Sequence, residues 1–389
     1  METSLPFTPA EFRERLSRVR TEMAAQSLDL LILNAPENIY YLTGHETKGV
    51  FANQYLAVPR DGPVLFMTRR IEVGNVARVV NGGSPIDDYA LYGDTDDPLD
   101  VFVGLLRRHN LGRGRIGVET HSWYLLVDHY ERLKAALTAG TFVDAGAVVE
   151  AQRLIKSPAE LEYHRRAGRI AVQAMRAGVA AVRPGESDGA VITAALAAMI
   201  EAGGEWSAAW PNVAAGRRTS LGHATWANVP IAPGETVLIE LAGVVRRYHT
   251  PLWRSILVGP IEPEQRRLAL AIRDANEAGL ESLRAGVTVG DVHETIRSVL
   301  NRSGFKNLPD IRFGYTVGIG FPPVWSQQRG INIVRGSSVV LQPGMVFHFV
   351  TFILREDRYG IGQSCSVTIT QNGHENLTPG LEPGPLFLE

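Results

Sequence analysis

Cysteine is nearly absent from this chain of 389 residues, which contains Cys365 alone. One thiol excludes an intramolecular disulfide and any zinc site built from several cysteines. The sequence also lacks a run of about 18 apolar residues, the length that predicts a transmembrane helix. Residues 1–12 contain no basic segment followed by an apolar stretch, so they do not resemble a secretory signal. These absences predict a cytoplasmic location, because the cytosol keeps thiols reduced.

The sequence also lacks an excess of basic over acidic residues. The chain has 39 Lys and Arg against 41 Asp and Glu, and no basic block with interleaved aromatics. The formal net charge is −2, so neither nucleic acid nor a membrane surface is expected as a partner. Charged residues make up 21% and hydrophobic residues 45% of the chain, which is ordinary for a globular protein, and the length suits two domains.

Motifs for phosphate binding and for serine nucleophiles are absent. The chain has no GxxxxGK(S/T) loop, no GxGxxG between a strand and a helix, and no GxSxG elbow. Cys365 lies in the strand-like run QSCSVTIT without a neighbouring base in the sequence. That context is typical of a buried small side chain rather than of a nucleophile.

Strands and helices alternate over the first 150 residues, which predicts an α/β domain. Thr8, Pro9 and Glu11 predict the start of the first helix, since they fit the N-cap, the first turn and a capping box. Further elements are expected as strands at 28–34, 53–59, 63–68 and 115–119, and as helices at 38–44 and 123–138.

A different pattern begins after the segment 153–168, which marks a domain boundary. Ser157, Pro158 and Glu160 repeat the capping-box spacing and predict a long helix to about residue 181. Beyond it, helices separate long strands in an α+β pattern of antiparallel type. The expected elements are helices at 188–203, 262–285 and 289–303, strands at 236–244, 345–354 and 366–370, and an irregular glycine-rich loop at 310–327.

Glu240 is the most unusual carboxylate in the sequence, because it lies inside the apolar strand pattern VLIELAGV. Burying it without a partner is costly, so it needs a cation or hydrogen-bond donors. One interpretation is an internal salt bridge, for which Arg254 is a candidate. The other is a carboxylate that faces the substrate.

Two histidines and a group of tryptophans are further candidates. His223 follows Gly222 in an expected loop and could act as a general base near neutral pH or be purely structural. His348 alternates with Phe347 and Phe349, which is also typical of a core histidine. Tryptophan faces attract organic cations, although core packing explains each one singly. The tryptophans in the second half are Trp206, Trp210, Trp226, Trp253 and Trp325.

Several segments resemble the pita-bread metallopeptidases, prolidase and aminopeptidase P, over nearly the whole chain. They are ENIYYLTG, RLIKSPAELEYHRRAG, PGMVF and VTITQNGHENLT. The resemblance implies a creatinase-type α/β N-terminal domain over 1–154 and an α+β pita-bread catalytic domain over 155–389.

The resemblance also implies two divalent ions, held by two Asp, one His and two Glu. In this chain those positions fall on Glu240, Pro251, Tyr315, Val350 and a residue at or next to Cys365. Proline and valine offer no side-chain donor to a metal. Neither a metal nor another cofactor is therefore expected.

The segments IELAGVVRRYHTPLWR, FGYTVGIGFPPVW and LQPGMVFHFVT resemble the metal-free branch of the family, which includes creatinase and ectoine hydrolase, and are more similar to ectoine hydrolase. By this resemblance His223 is the catalytic base and Glu240 holds the substrate's cation. Val350 replaces the second carboxylate of creatinase, which argues against creatine as substrate. The stretch GIGQSC (360–365) lacks the acidic residues expected in ectoine hydrolase, so the substrate stays open.

The predicted function is metal-independent hydrolysis of a C–N bond in a small cationic or zwitterionic compound, such as an ectoine-like cyclic amidine or a related amide or guanidine. Arg254 is expected to bind a substrate carboxylate or else to pair with Glu240. Residues expected to contact the substrate or to orient those that do are Tyr248, His249, Arg254, Tyr315, Trp226, Trp325 and His348.

The resemblance further implies a homodimer, in which Arg69 and Arg70 of the N-terminal domain are candidates to reach the neighbour's pocket. Three other functions remain open at this point. They are a metal-dependent Xaa-Pro dipeptidase or aminopeptidase, a binding protein without catalysis, and a lyase in which the same base removes a carbon-bound proton.

Overall fold

The computed structural model describes residues 5–389, which form two compact units that divide between Arg153 and Leu154. Both α/β and α+β patterns predicted from the sequence are present. None of the helices in residues 5–389 combines the length and the apolar character needed to cross a bilayer.

The N-terminal unit is built on a six-stranded mixed sheet with strand order β4-β3-β2-β1-β5-β6. Its elements are α1 (Pro9–Ala25), β1 (Leu30–Leu33), α2 (Pro36–Thr43), β2 (Tyr55–Pro59), β3 (Leu65–Arg69), α3 (Val73–Asn81), β4 (Asp88–Tyr92), α4 (Pro98–Arg108), β5 (Gly114–Val118), α5 (Val127–Ala136), β6 (Gly140–Asp144) and α6 (Ala147–Leu154). A three-residue 3₁₀ turn, Arg70–Glu72, precedes α3.

Local sequence patterns predicted the positions of most of these helices and strands. Thr8 caps α1 by accepting a hydrogen bond from the Glu11 amide at 3.2 Å, and Gly44 ends α2 in the left-handed conformation at φ 70°. Strands β2 and β3 overlap the predicted strands at 53–59 and 63–68 and pair antiparallel. Helix α5 begins at Val127, four residues later than predicted, because turns precede it.

The C-terminal unit contains a nine-stranded sheet with the main order β11-β10-β12-β13-β9-β8-β7. Its elements are α7 (Pro158–Ala181), α8 (Asp188–Glu201), β7 (Asn212–Ala215), β8 (Thr236–Val245), β9 (Tyr248–Val258), α9 (Pro263–Ser282), α10 (Val289–Arg302), β10 (Gly314–Phe321), β11 (Val324–Ser326), β12 (Val346–Arg355), β13 (Tyr359–Ile369), β14 (His374–Asn376) and β15 (Leu386–Leu388). β14 pairs with β13, and β15 runs parallel to β9.

Helices cover this sheet in two pairs, each over its own apolar core. α7 and α8 pack on β8 and β9, whereas α9 and α10 pack on β12 and β13. Ser157 and Glu160 form the predicted capping box that starts α7, with Glu160 accepting from the Ser157 amide at 2.9 Å. Gly243 lets β8 approach α7 closely, because a Cβ there would lie 2.0 Å from the Ala167 carbonyl oxygen.

The prediction of an irregular loop at 310–327 is wrong. Most of that segment forms β10 and β11, which pair antiparallel around Pro322 and Pro323. Its glycines allow close packing rather than a loop conformation: a Cβ on Gly320 would lie 2.9 Å from the His249 ring. The strand predicted at 366–370 also starts earlier, because β13 begins at Tyr359 and pairs with β12 along its whole length.

Candidate active site

A cavity of about 340 Å³ lies within the C-terminal unit, against β7, β8, β9 and β12. Its polar lining consists of Asn212, Thr219, His223, Glu240, Arg312 and Tyr315. The rest of its lining consists of Ala214, Leu221, Gly222, Ala224, Leu238, Trp253, Ile311, Val350, Phe352 and Leu354. Both residues expected to be catalytic, His223 and Glu240, are among the lining residues.

Glu240 faces the cavity because of its register in β8. It pairs with Asn212 of β7 on one side and with Trp253 of β9 on the other, and both partners line the cavity with it. Its Oε2 accepts a hydrogen bond from Asn212 Nδ2 at 2.6 Å. Burial raises the pKa of Glu240, while this hydrogen bond and the electrostatic interactions with His223 and Arg312 oppose that shift.

His223 reaches the cavity from a loop in a left-handed backbone conformation, with φ 63°. A non-glycine residue keeps such a φ only where the surrounding structure holds it. The anchor is the buried Asp188, which binds Arg218 at 2.8 Å and accepts hydrogen bonds from the amides of Ala227 and Val229. Arg218 also donates to the Thr225 carbonyl, so the loop is fixed on both sides of His223.

Tyr315 lines the cavity and is held from behind by a chain of hydrogen bonds. Its hydroxyl accepts from Trp325 Nε1 at 2.9 Å and lies 2.8 Å from His348 Nδ1. Indole can only donate, so the Tyr315 oxygen accepts from Trp325, and His348 joins Tyr315 to Ser364, whose Oγ lies 2.6 Å from His348 Nε2. Burial lowers the pKa of His348 to about 3, which keeps the ring neutral, and burial also raises the pKa of Tyr315.

Trp325 and His348 do not line the cavity, so the direct substrate contact expected of them is corrected. Both hydrogen-bond to Tyr315, which does line it, and this agrees with the other expected role, that of orienting a lining residue. Trp226 does not line it either; it packs on the core beneath α7 and α8, with Trp210 edge-on at 6.0 Å between ring centroids.

Tyr248 and His249 are also outside the cavity. They lie at the start of β9, four or more residues before Trp253, which places them about 13 Å or more away along the strand. The Tyr248 hydroxyl donates to Glu160 at 2.7 Å. His249 accepts the Ala208 amide on Nε2 at 2.9 Å, so its ring is used in packing.

Both expectations for Arg254 are wrong. It pairs with Ile239 rather than with Glu240, and the period of two along a strand puts it on the opposite face of the sheet. Its guanidinium donates to backbone carbonyls of Trp253 at 2.8 Å and Ser364 at 2.6 Å. Arg254 therefore neither binds Glu240 nor faces the cavity.

Arg312 and Asn212 are site residues that the sequence did not reveal. Arg312 is exposed, donates to Asn332 at 3.1 Å and lies 4.4 Å above the Tyr315 ring. It lies two residues before Gly314, within the segment 310–327 for which the sequence predicts a loop. Asn212 lies 28 residues from Glu240, and only the pairing of β7 with β8 brings them together.

The donors present do not fit a two-ion metal centre. Of the positions that correspond to the family's ligands, Pro251 and Val350 lack donor atoms, and Glu240 is the one carboxylate in the cavity lining. Val350 pairs with Ser364, so Ser364 rather than Cys365 shares its face, while Cys365 packs in the core under α9 and α10. Within residues 5–389, no three His, Cys, Asp or Glu side chains gather closely enough to hold a metal.

Comparison with known proteins covers nearly the whole chain. Residues 15–155 match the model of the Creatinase/Prolidase N-terminal domain, and residues 162–371 match that of Metallopeptidase family M24. Ectoine hydrolase from Halomonas elongata is 29% identical, with 97% of each chain covered.

Among solved structures, a prolidase from Thermococcus sibiricus superposes with a TM-score of 0.86 at 18% identity, over 97% of this chain and 99% of that one. The prolidase from Pyrococcus horikoshii gives a TM-score of 0.82 at 22% identity, over 95% and 99%. At these identities the likeness to the two structures concerns the fold alone.

Proposed function

Since the chain belongs to Metallopeptidase family M24 and carries the creatinase/prolidase N-terminal domain, we propose that it hydrolyses a C–N bond of a small cationic or zwitterionic compound without a metal ion. The family and its two-domain pita-bread fold agree with the prediction from the motifs, and the chain is a hydrolase of that family. The observation that carries the proposal is the presence of His223 and Glu240 in one cavity, together with the absence of a donor atom at two of the family's ligand positions, Pro251 and Val350.

Glu240 is assigned to the substrate's cationic C–N group. An amidinium N–H donates to its carboxylate, and the ion pair keeps the amidinium carbon positively charged and open to attack. Asn212 fixes the carboxylate through the 2.6 Å hydrogen bond, so little reorganisation is needed when the substrate binds.

His223 is assigned as the general base and then the general acid. It takes a proton from water as the water oxygen bonds to the amidinium carbon. It returns that proton to one nitrogen of the tetrahedral intermediate. The C–N bond then breaks as the C=O bond forms, and the hydroxyl proton passes to the departing amine, so the products are an amide and a protonated amine.

Arg312 takes the role first expected of Arg254. It is the one Lys or Arg among the residues that line the cavity, and in residues 5–389 it forms no ion pair with a carboxylate. A cation near Glu240 suits a zwitterion, with the amidinium at Glu240 and the carboxylate at Arg312. Ectoine, the compound in the name of the relative that is 29% identical, has both an amidinium and a carboxylate.

Arg312→Gln is expected to lower kcat/KM for ectoine by about 10- to 100-fold, the usual value of a hydrogen bond to a charged group. For the same cyclic amidine without its carboxylate, Arg312→Gln should lower kcat/KM only slightly. Steady-state kinetics with the two compounds measure this difference. Arg335→Gln is the control, because Arg335 pairs with Glu294 and Asp310 outside the cavity. An equal loss on both compounds would contradict the assignment.

The function itself is tested by assaying ectoine ring opening after thorough chelation, with metal content measured on the same sample. Activity should persist with far less than one ion per chain. Loss on chelation and recovery with Mn²⁺, Co²⁺ or Zn²⁺, or turnover of an Xaa-Pro dipeptide alone, would contradict the proposal.

We also propose a cytoplasmic homodimer, in which Arg69 and Arg70 contact the partner's cavity. The family resemblance supports the dimer, and the single buried cysteine suits a reducing compartment. Within the chain, Arg69 pairs with Asp94 at 2.7 Å. Sedimentation of the chelated sample should show a dimer, and a monomer at assay concentration would contradict this part.

A further inference from the structure

One wall of the cavity is a small apolar cluster separate from the two large cores. It consists of Leu238, Trp253 and Val350, which are buried, with Phe352 packed against them. All four line the cavity. We refer to these four residues as the apolar wall.

The apolar wall is assembled from three strands beside the expected reacting groups. Leu238 lies two residues before Glu240 on the same face of β8, so the wall begins about 7 Å along the strand from Glu240. Trp253 and Phe352 stack with ring centroids 5.3 Å apart and an interplanar angle of 29°, which gives a flat and rigid surface.

The dimensions of the cavity exceed what a single small ring needs. About 340 Å³ is within the range of pockets that hold drug-sized ligands, roughly 300–1,000 Å³. A ring held between Glu240 and Arg312 with only a methyl substituent would leave much of the cavity-facing side of the apolar wall uncovered by substrate. Covering such a surface with hydrocarbon is favourable in proportion to the area removed from water.

We propose that the substrate carries an apolar substituent of several carbon atoms on the carbon that is attacked, and that this substituent packs on the apolar wall. This inference rests on the proposed function, since it places the reacting carbon between His223 and Glu240. The substituent at that carbon can reach the wall while the ring's carboxylate stays at Arg312.

The test is a series of cyclic amidine carboxylates with methyl, propyl and pentyl groups on the amidine carbon. The kcat/KM of the native chain should rise by about fourfold per methylene until the substituent leaves the wall. Val350→Thr, which keeps the side-chain shape but adds a hydroxyl, should lower the propyl-to-methyl ratio by about fourfold. Val339→Thr, on an exposed valine outside the cavity, is the control and should keep the native ratio.

A flat or falling series with an active enzyme would overturn the inference. If no member of the series is hydrolysed, the proposed function fails, and calorimetric titration with the same compounds then tests the wall by itself. Affinity that rises with chain length and falls in Val350→Thr would support the wall as a binding surface. Affinity independent of chain length would overturn it.

Discussion

Replacing His223 with asparagine is expected to lower kcat for C–N hydrolysis by about 10²- to 10⁴-fold, the usual contribution of a general base, with little change in KM. The imidazole is assigned to proton transfer rather than to holding the substrate's cation. Asparagine is the sharper substitution because it tolerates the left-handed conformation that His223 adopts at φ 63°. His223→Ala would add backbone strain to the loss of the base.

Single-turnover assays separate the chemical step from binding, and added imidazole should restore part of the rate of His223→Asn. His121→Ala serves as the control, since His121 is an exposed histidine of the N-terminal unit with a side chain 69% accessible. Unchanged turnover in His223→Asn would remove His223 from the role of base. A loss of thermal stability equal in size to the loss of activity would point to a structural role.

Glu240→Gln is expected to lower kcat/KM by about 10²- to 10³-fold, the size seen when one charge-stabilising group is removed from an active site. KM should rise as well, because the substrate's cation loses its counterion. The amide oxygen of Gln can still accept the hydrogen bond from Asn212, so the fold at β7 and β8 should survive. Glu201→Gln, on an exposed glutamate at the end of α8, is the control.

The pH dependence gives a second measurement on the same residue. Burial raises the pKa of Glu240 because it disfavours the charged carboxylate, and the mechanism needs that charged form. The kcat/KM of the native chain should therefore fall as the pH drops through a value above the ordinary range of glutamate. Glu240→Gln should lose the part of this acid limb that is due to Glu240, while the requirement for an unprotonated base at His223 remains. A native KM and an unchanged acid limb in Glu240→Gln would contradict the role of Glu240.

Several helix ends and strands were predictable from the local sequence. The capping residues Thr8 and Ser157, the left-handed Gly44 and the apolar strand around Glu240 each act through neighbours a few residues away. The sequence did not predict the hairpin of β10 and β11, because glycines and prolines in one segment are typical of a loop. In the structure Gly320 has no side chain because His249 of a distant strand occupies that space.

The sequence by itself determined the family, the two units, the lack of metal donors at Pro251 and Val350, and the pairing of a candidate base with a candidate carboxylate. It could not decide which side chains share the cavity. In a strand, neighbouring residues face opposite sides, so a shift of one position exchanges a lining residue for a core residue. Only the pairing of distant strands decided that Arg254 lies on the face of the sheet opposite Glu240, so that Arg312 is the arginine that lines the cavity. The same pairing brought Asn212 beside Glu240 and Ser364 beside Val350.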